Sequence, residues 1–161
     1  MDEERPLAFV DLDGVVADVR HRLHHIEAGR KDWDRFFAAA VDDPPHHEGL
    51  AVVARLELDH EVVYLTGRPE SCRADTERWL ERHGIGGHLL VMRPAGVRRP
   101  AAELKRSLLT EVAAGREVGV VVDDDAQVVE AMAAAGITTF HATWGGRSEA
   151  LHRAQEVDGR S

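Results

Sequence analysis

Asp11 and Asp13 stand one residue apart at the end of a short apolar run, Leu7 to Val10, and Gly14 follows at once. A run that is apolar and partly β-branched reads as a buried strand. Residues i and i+2 of a strand share a face, so both carboxylates point the same way for as long as extended geometry lasts. Two anions at that separation repel, which leaves two resolutions: one is protonated, or a cation sits between them. Gly14 lets the backbone leave the strand through conformations that a side chain forbids, opening space beside the acids. The arrangement suits a carboxylate nucleophile next to an acid and a hard metal ion. A solvated Asp-x-Asp-Gly turn is the plainer alternative.

The elements that would position these acids follow in order. Asp18 to Gly29 carries His21, Arg22, His24 and His25 and reads as a short helix or structured loop. Adjacent histidines point to different faces of a helix and make a poor zinc site, so Arg22 is the better candidate, as a phosphate clamp. Asp32 to Val41 reads as a helix capped by Asp32, with Trp33, Phe36 and Phe37 on its apolar face, stopped by Asp42-Asp43-Pro44-Pro45. Gly49 to Leu58 is a second amphipathic helix and Glu61 to Leu65 a second strand. Residues 18–47 are then a small cap-like insertion, which predicts an open site.

Thr66-Gly67-Arg68-Pro69 follows that strand and supplies a hydroxyl, a flexible turn and a guanidinium at its C-terminal end, where open α/β sheets bind ligands. Further helices read over Glu70 to His83 (with Trp79 on the inner face), Ala101 to Ala114 (with Lys105 near its start), Ala126 to Ala135 and Arg147 to Val157. Strands read over Leu89 to Met92, Val118 to Val122 and Ile137 to His141, and the residues up to Ser161 read as frayed. Val118 to Val122 runs into Asp123-Asp124-Asp125. Strands alternating with helices imply a five-stranded parallel sheet with helices on both faces, an α/β three-layer sandwich. Asp11 and Asp13, Thr66, and Asp123 with Asp124 then share one edge.

Composition narrows the class. The 161 residues, 43% hydrophobic and 30% charged, fit one domain, 1–161. No apolar run is long enough to cross a bilayer and the N-terminus has no signal-peptide core, so a soluble cytoplasmic protein without a membrane partner is expected. Cys72, the single cysteine, makes no internal disulfide. The net charge of −9 argues against broad nucleic-acid binding. Nine basic residues against five acidic ones between Thr66 and Arg106 leave that stretch at +4 and the rest of the chain at −13. A basic patch facing acids that hold a metal suits a phosphate-bearing substrate.

Taken together, Asp11-Leu12-Asp13-Gly14-Val15, Thr66-Gly67-Arg68, Lys105 and Asp123-Asp124 resemble the four motifs of the haloacid dehalogenase (HAD) superfamily of aspartate-nucleophile phosphohydrolases. Within it, Thr66-Gly67-Arg68-Pro69, Thr76, Trp79 and Asp123-Asp124 leading into Gln127-Val128-Val129-Glu130 are similar to the phosphatase domain of polynucleotide kinase 3′-phosphatases. Arg22, eleven residues after Asp11, sits where that group carries a phosphate-contacting arginine. The chain departs from the group at Ala101-Ala102, where an acid is usual, and it has no P-loop and hence no kinase half.

The resemblance implies a HAD-like Rossmannoid fold and an Mg²⁺-dependent phosphomonoesterase acting through an aspartyl-phosphate, with a DNA or RNA 3′ end as substrate. Asp11 would be the nucleophile, and Asp13 the general acid and base, its pKa raised by neighbouring anions. Thr66 and Lys105 would hold the phosphate. Mg²⁺ would bind Asp11, the Asp13 backbone carbonyl, Asp123 and Asp124. Gly67 belongs to the phosphate-holding turn, and Arg22, Arg68 and Arg73 would grip a flanking phosphodiester. The alternatives are a phosphatase of small nucleotides or sugar phosphates and, more distantly, a receiver-like signalling domain. A receiver carries its phospho-accepting aspartate on the third strand, which ends here in Met92-Arg93.

Overall fold

The computed structural model describes residues 3–27, 29–146 and 148–161. Its centre is a parallel sheet of five strands, β1 (Leu7–Val10), β2 (Glu61–Pro69), β3 (Leu89–Arg93), β4 (Val118–Asp123) and β5 (Thr139–His141), in the order β3-β2-β1-β4-β5. β1 pairs with β2 on one side and β4 on the other, so the chain winds outward in one direction and then in the other. The point where the winding reverses lies beside the C-terminal end of β1, where such sheets hold their ligands.

The alternation of side chains along the strands builds two layers of core. Val10, Val62, Tyr64, Leu90 and Val122 face one way, against Val53 of α3 (His47–Leu56) and Trp79 and Leu80 of α4 (Arg73–Arg82). Leu7, Phe9, Val63, Leu65 and Val121 face the other, against Leu109 of α5 (Ala101–Ala113) and Val128 and Met132 of α6 (Ala126–Ala134). Strands buried on both faces must read as continuous apolar runs, as these do.

The segment between β1 and α3 forms a 3₁₀ turn (Arg20–Arg22), α1 (His24–Glu27), α2 (Trp33–Ala38) and a second 3₁₀ turn (Ala39–Asp42). Asp32 caps α2 by accepting from Arg35 N. A third apolar cluster joins Val19, Leu23, Ile26 and Phe36 of this segment to Leu151 and Ala154 of α7 (Glu149–Glu156). Arg147, the expected start of that last helix, lies outside the described residues.

Two expectations are corrected. β2 does not end at Leu65: Thr66-Gly67-Arg68 continue the strand to Pro69, with the pairing to β3 interrupted between Leu65 and Pro69. The C-terminal residues do not fray. Arg160 N donates to Ala154 O, Lys31 pairs with Asp158 at 2.6 Å, and Ser161 is buried against Gly67. Among the described residues no helix is long and apolar enough to cross a membrane.

Candidate active site

Asp11 directly follows β1, and its backbone N–H donates to Val122 O of β4, which fixes it at the reversal point of the sheet. Asp123 comes from the end of the adjacent strand and Asp124 from the turn after it. One carboxylate oxygen from each of Asp11, Asp123 and Asp124 lies within 4.8 Å of the others. Asp124 reaches in because Gly14 makes room: a Cβ on Gly14 would stand 1.9 Å from Asp124 Oδ2, and Gly14 has a φ of +84°. Lys105, in the second turn of α5, places its ammonium 3.0 Å from Asp11 Oδ1 and 2.7 Å from Asp123 Oδ2.

One lysine does not balance three acids. Burial, and then the Asp123 charge, pushes the Asp11 carboxyl up to about 8, and burial followed by Asp11 and Asp123 raises Asp124 well above the carboxylate range. Lys105 responds in the opposite sense: burial works against its charge, but Asp11 and Asp123 raise its pKa overall. Asp11 Oδ2 and Asp124 Oδ1 are buried with no hydrogen-bond partner among the described residues. Converging hard oxygens, two of them unpartnered, fit a small divalent cation such as Mg²⁺.

Asp13, two residues on, does not join this cluster with its side chain. Its Oδ1 accepts from Arg68 Nη2 (2.6 Å), Arg68 Nε (3.0 Å) and Arg22 Nη2 (3.0 Å), while Oδ2 has no partner among the described residues. Both arginines are also held by Asp43: Arg22 Nε donates to Oδ1 (2.8 Å), and Arg22 Nη2 (3.0 Å) and Arg68 Nη2 (3.2 Å) donate to Oδ2. Arg22 and Arg68 are 0% and 1% exposed. Arg22 stacks over Phe36, 4.4 Å from the ring centroid, and Arg68 Nη1 donates to Thr76 Oγ1.

This web corrects the expectation for Asp13. Burial pushes its carboxyl upward, but Arg68 and Arg22 more than reverse that and leave it below its ordinary value. Asp43 ends above its own, because burial there outweighs the Arg22 fork.

The loop that carries Asp13 is clamped rather than free. Asp18 N donates to Pro44 O, His46 N to Val16 O, and Trp79 Nε1 to Asp43 O at 2.9 Å. The proline-rich segment therefore does more than stop a helix, since it delivers Asp43 to the arginines.

Thr66 is buried on β2 with its Oγ1 accepting from Arg68 N, and a Cβ on Gly67 would overlap Ser161. Arg73 is not brought to the site: it pairs with Glu70 and Glu77 on its own turn and donates to Leu90 O. The expected openness is also corrected. Asp11 and Asp13 are each 3% exposed. Glu156 of α7 accepts from Ala102 N at the start of α5, and Ser161 lies on Gly67, so the C-terminal segment roofs this edge of the sheet.

Sequence reasoning missed one residue of this web. Asp43 was legible only through charge balance, since two arginines aimed at one Asp13 call for a second anion. Arg93, 0% exposed at the end of β3, donates to Gly67 O (3.0 Å), Arg99 O (2.6 Å) and Ser161 O (3.1 Å). Burial, and then Arg98, lowers its pKa to about 10.

A parallel five-stranded sheet with an acid pair after β1, a hydroxyl on β2, a lysine on the helix before β4 and acids after β4 defines a phosphatase of the haloacid dehalogenase type. Residues 6–146 match the family described as the polynucleotide kinase PNKP phosphatase domain, and the chain belongs to that family.

Among solved structures, two chains from the Pnkp1/Rnl/Hen1 RNA repair complex are similar. One is 25% identical with a TM-score of 0.71 over 88% of this chain and 44% of that one. The other is 24% identical with a TM-score of 0.74 over 91% of this chain and 49% of that one. The chain thus spans less than half the length of these relatives. A haloacid dehalogenase-like hydrolase from Streptococcus pneumoniae shares the fold at 14% identity, with a TM-score of 0.64 over 94% of this chain and 90% of that one. No curated protein sequence matches.

Proposed function

We infer that this chain is an Mg²⁺-dependent phosphomonoesterase that removes 3′-phosphates from polynucleotide ends through an aspartyl-phosphate on Asp11. The observation that carries the reading is the division of labour between two acids two residues apart. Asp11 sits in a lysine-bound acid cluster, and Asp13 sits in an arginine web with one oxygen left over. A nucleophile and a proton carrier need those two environments.

Asp11 attacks phosphorus through its carboxylate, which Lys105 orients by holding Oδ1. Asp13 Oδ2 gives its proton to the leaving 3′ oxygen and then takes one from the water that hydrolyses the aspartyl-phosphate. Arg68 and Arg22 keep Asp13 ionised when the site is empty, and an anionic phosphate brought against it raises its pKa and loads the proton that the first step uses. Thr66 and Lys105 hold the non-bridging oxygens.

Asp11, Asp123, Asp124 and the Asp13 backbone carbonyl are the groups that would hold Mg²⁺. When bound, it supplies charge to the acid cluster and to the phosphate. The polynucleotide substrate is supported by the family and by the RNA repair complex among the similar structures.

A second reading, a phosphatase of small nucleotides or sugar phosphates, is favoured by the near-complete burial of the acids. Phosphate release from an oligonucleotide carrying a 3′-phosphate, against its 5′-phosphate isomer and a nucleoside monophosphate, separates the two. Metal-dependent release selective for the 3′ end supports the first reading, and faster turnover of the monophosphate than of either oligonucleotide replaces it with the second.

A further inference from the structure

Away from the catalytic cluster, two adjoining surface hollows share Lys31, Trp33 and Arg160; Arg30 lines one, and Arg98 and Asp158 line the other. Trp33 is half-buried and takes cations on its ring: the Arg160 guanidinium carbon is 5.2 Å from the ring centroid and the Lys31 ammonium 5.6 Å. Lys31 is neutralised by Asp158, and Asp32, beside them, is turned to Arg35. Arg30, Arg98 and Arg160 have no carboxylate partner among the described residues, so the balance stays positive even with Asp34 on the rim. In a chain of net charge −9 this is a local reversal.

The hollows are tied to the catalytic turn by one side chain. Arg93 donates at once to Gly67 O, to Arg99 O and to Ser161 O. Arg98 and Arg160 are the immediate neighbours of the last two, and Thr66 is the neighbour of the first. Arg93 thus links the backbone beside this surface to the end of the strand that carries Thr66. An aromatic ring among unpaired guanidiniums recognises a single strand by stacking its bases and tracking its phosphodiesters, with little regard to sequence.

We propose that this surface around Trp33 binds the single strand that leads to the phosphorylated 3′ end, a base displacing the Arg160 guanidinium from the Trp33 ring and the phosphodiesters facing Arg30, Arg98 and the released Arg160. The proposal rests on the polynucleotide reading above.

The test compares kcat/KM for 3′-phosphorylated ten-nucleotide and two-nucleotide strands, as DNA and as RNA, with 4-nitrophenyl phosphate alongside. For the unmodified protein the ten-nucleotide strand of one or both chemistries is the better substrate. Trp33→Ala lowers the ratio of ten- to two-nucleotide kcat/KM about tenfold, through KM, and Trp33→Phe recovers most of it. Trp33 also packs on Phe36 and Phe37, so the exposed Arg98→Glu carries the test if Trp33→Ala does not fold. Arg98→Glu lowers the same ratio and flattens the salt dependence for the ten-nucleotide strand by about one unit of slope.

Equal losses on both lengths, or no change in the ratio, overturn the proposal. If 3′ ends are hydrolysed with no preference for length, the function stands and this surface alone is refuted. If 4-nitrophenyl phosphate is hydrolysed and neither 3′ end is, both fall.

Discussion

Asp43→Asn takes one charge out of a buried web in which two arginines serve two acids. The Asp43 side chain is wholly buried, accepts three N–H bonds from Arg22 and Arg68, and lies 2.6 Å from His21 Nε2. Without it both guanidiniums depend on Asp13. Removing one member of a buried pair costs about 3–5 kcal/mol. Asparagine keeps an acceptor oxygen, and the raised pKa of Asp43 shows that desolvation already offsets part of the pairing, so the low end applies, about 3 kcal/mol. At roughly 2–4 °C per kcal/mol for a chain of this size, Tm falls by about 6–12 °C.

A second effect is separable from stability. Asp13 loses a nearby anion and gains the undivided attention of both arginines, so its pKa drops further and less of it is protonated near neutrality. The alkaline limb of the kcat profile should move to lower pH. A thermal melt and a rate profile between about pH 5 and 9 read the two effects. A Tm within 2 °C of the unmodified protein, with an unmoved profile, refutes the role given to Asp43.

Gly14→Ala forces a side chain at positive φ, for about 1–2 kcal/mol, and drives Asp124 out of the cluster. The Mg²⁺ concentration for half-maximal rate should rise about tenfold in a metal titration, and an unchanged value would make Asp124 dispensable. In chelator, Asp11 binds its proton more tightly folded than unfolded. Its stabilising contribution is therefore full below its ordinary value of 3.8 and is lost as pH rises through about 8. Calorimetry should show Tm declining over that window with chelator and holding with Mg²⁺. Lys105→Met removes the ammonium from Asp11 and Asp123, and kcat should fall by about 10²–10³ in a steady-state assay.

The sheet was legible because its strands are short, β-branched and buried on both faces, so that Val118 to Val122 and Glu61 to Leu65 stand out without further context. The acids were legible because a strand end places them: Asp11 and Asp123 meet on adjacent strands as the alternating pattern requires. The arginine web was not, since Arg22, Arg68 and Asp43 lie on three segments and meet only through the clamp between residues 44–46 and the loop after β1. The roof was missed for a related reason. Ser161 is held by Arg93 and by its contact with Gly67, long-range partners with no local pattern, so its segment reads as a polar end. Arg73 was misplaced because a glutamate one turn away on each side claims it.

Whether Asp11 is the nucleophile can be read in a single turnover with a 3′-phosphorylated oligonucleotide and Mg²⁺, quenched in acid and reduced with borohydride. This converts an aspartyl-phosphate to homoserine, which peptide mass spectrometry locates. Homoserine at position 11, absent without substrate, is the expected result. Turnover with no homoserine, or homoserine at Asp13 instead, would contradict the division of roles between the two acids.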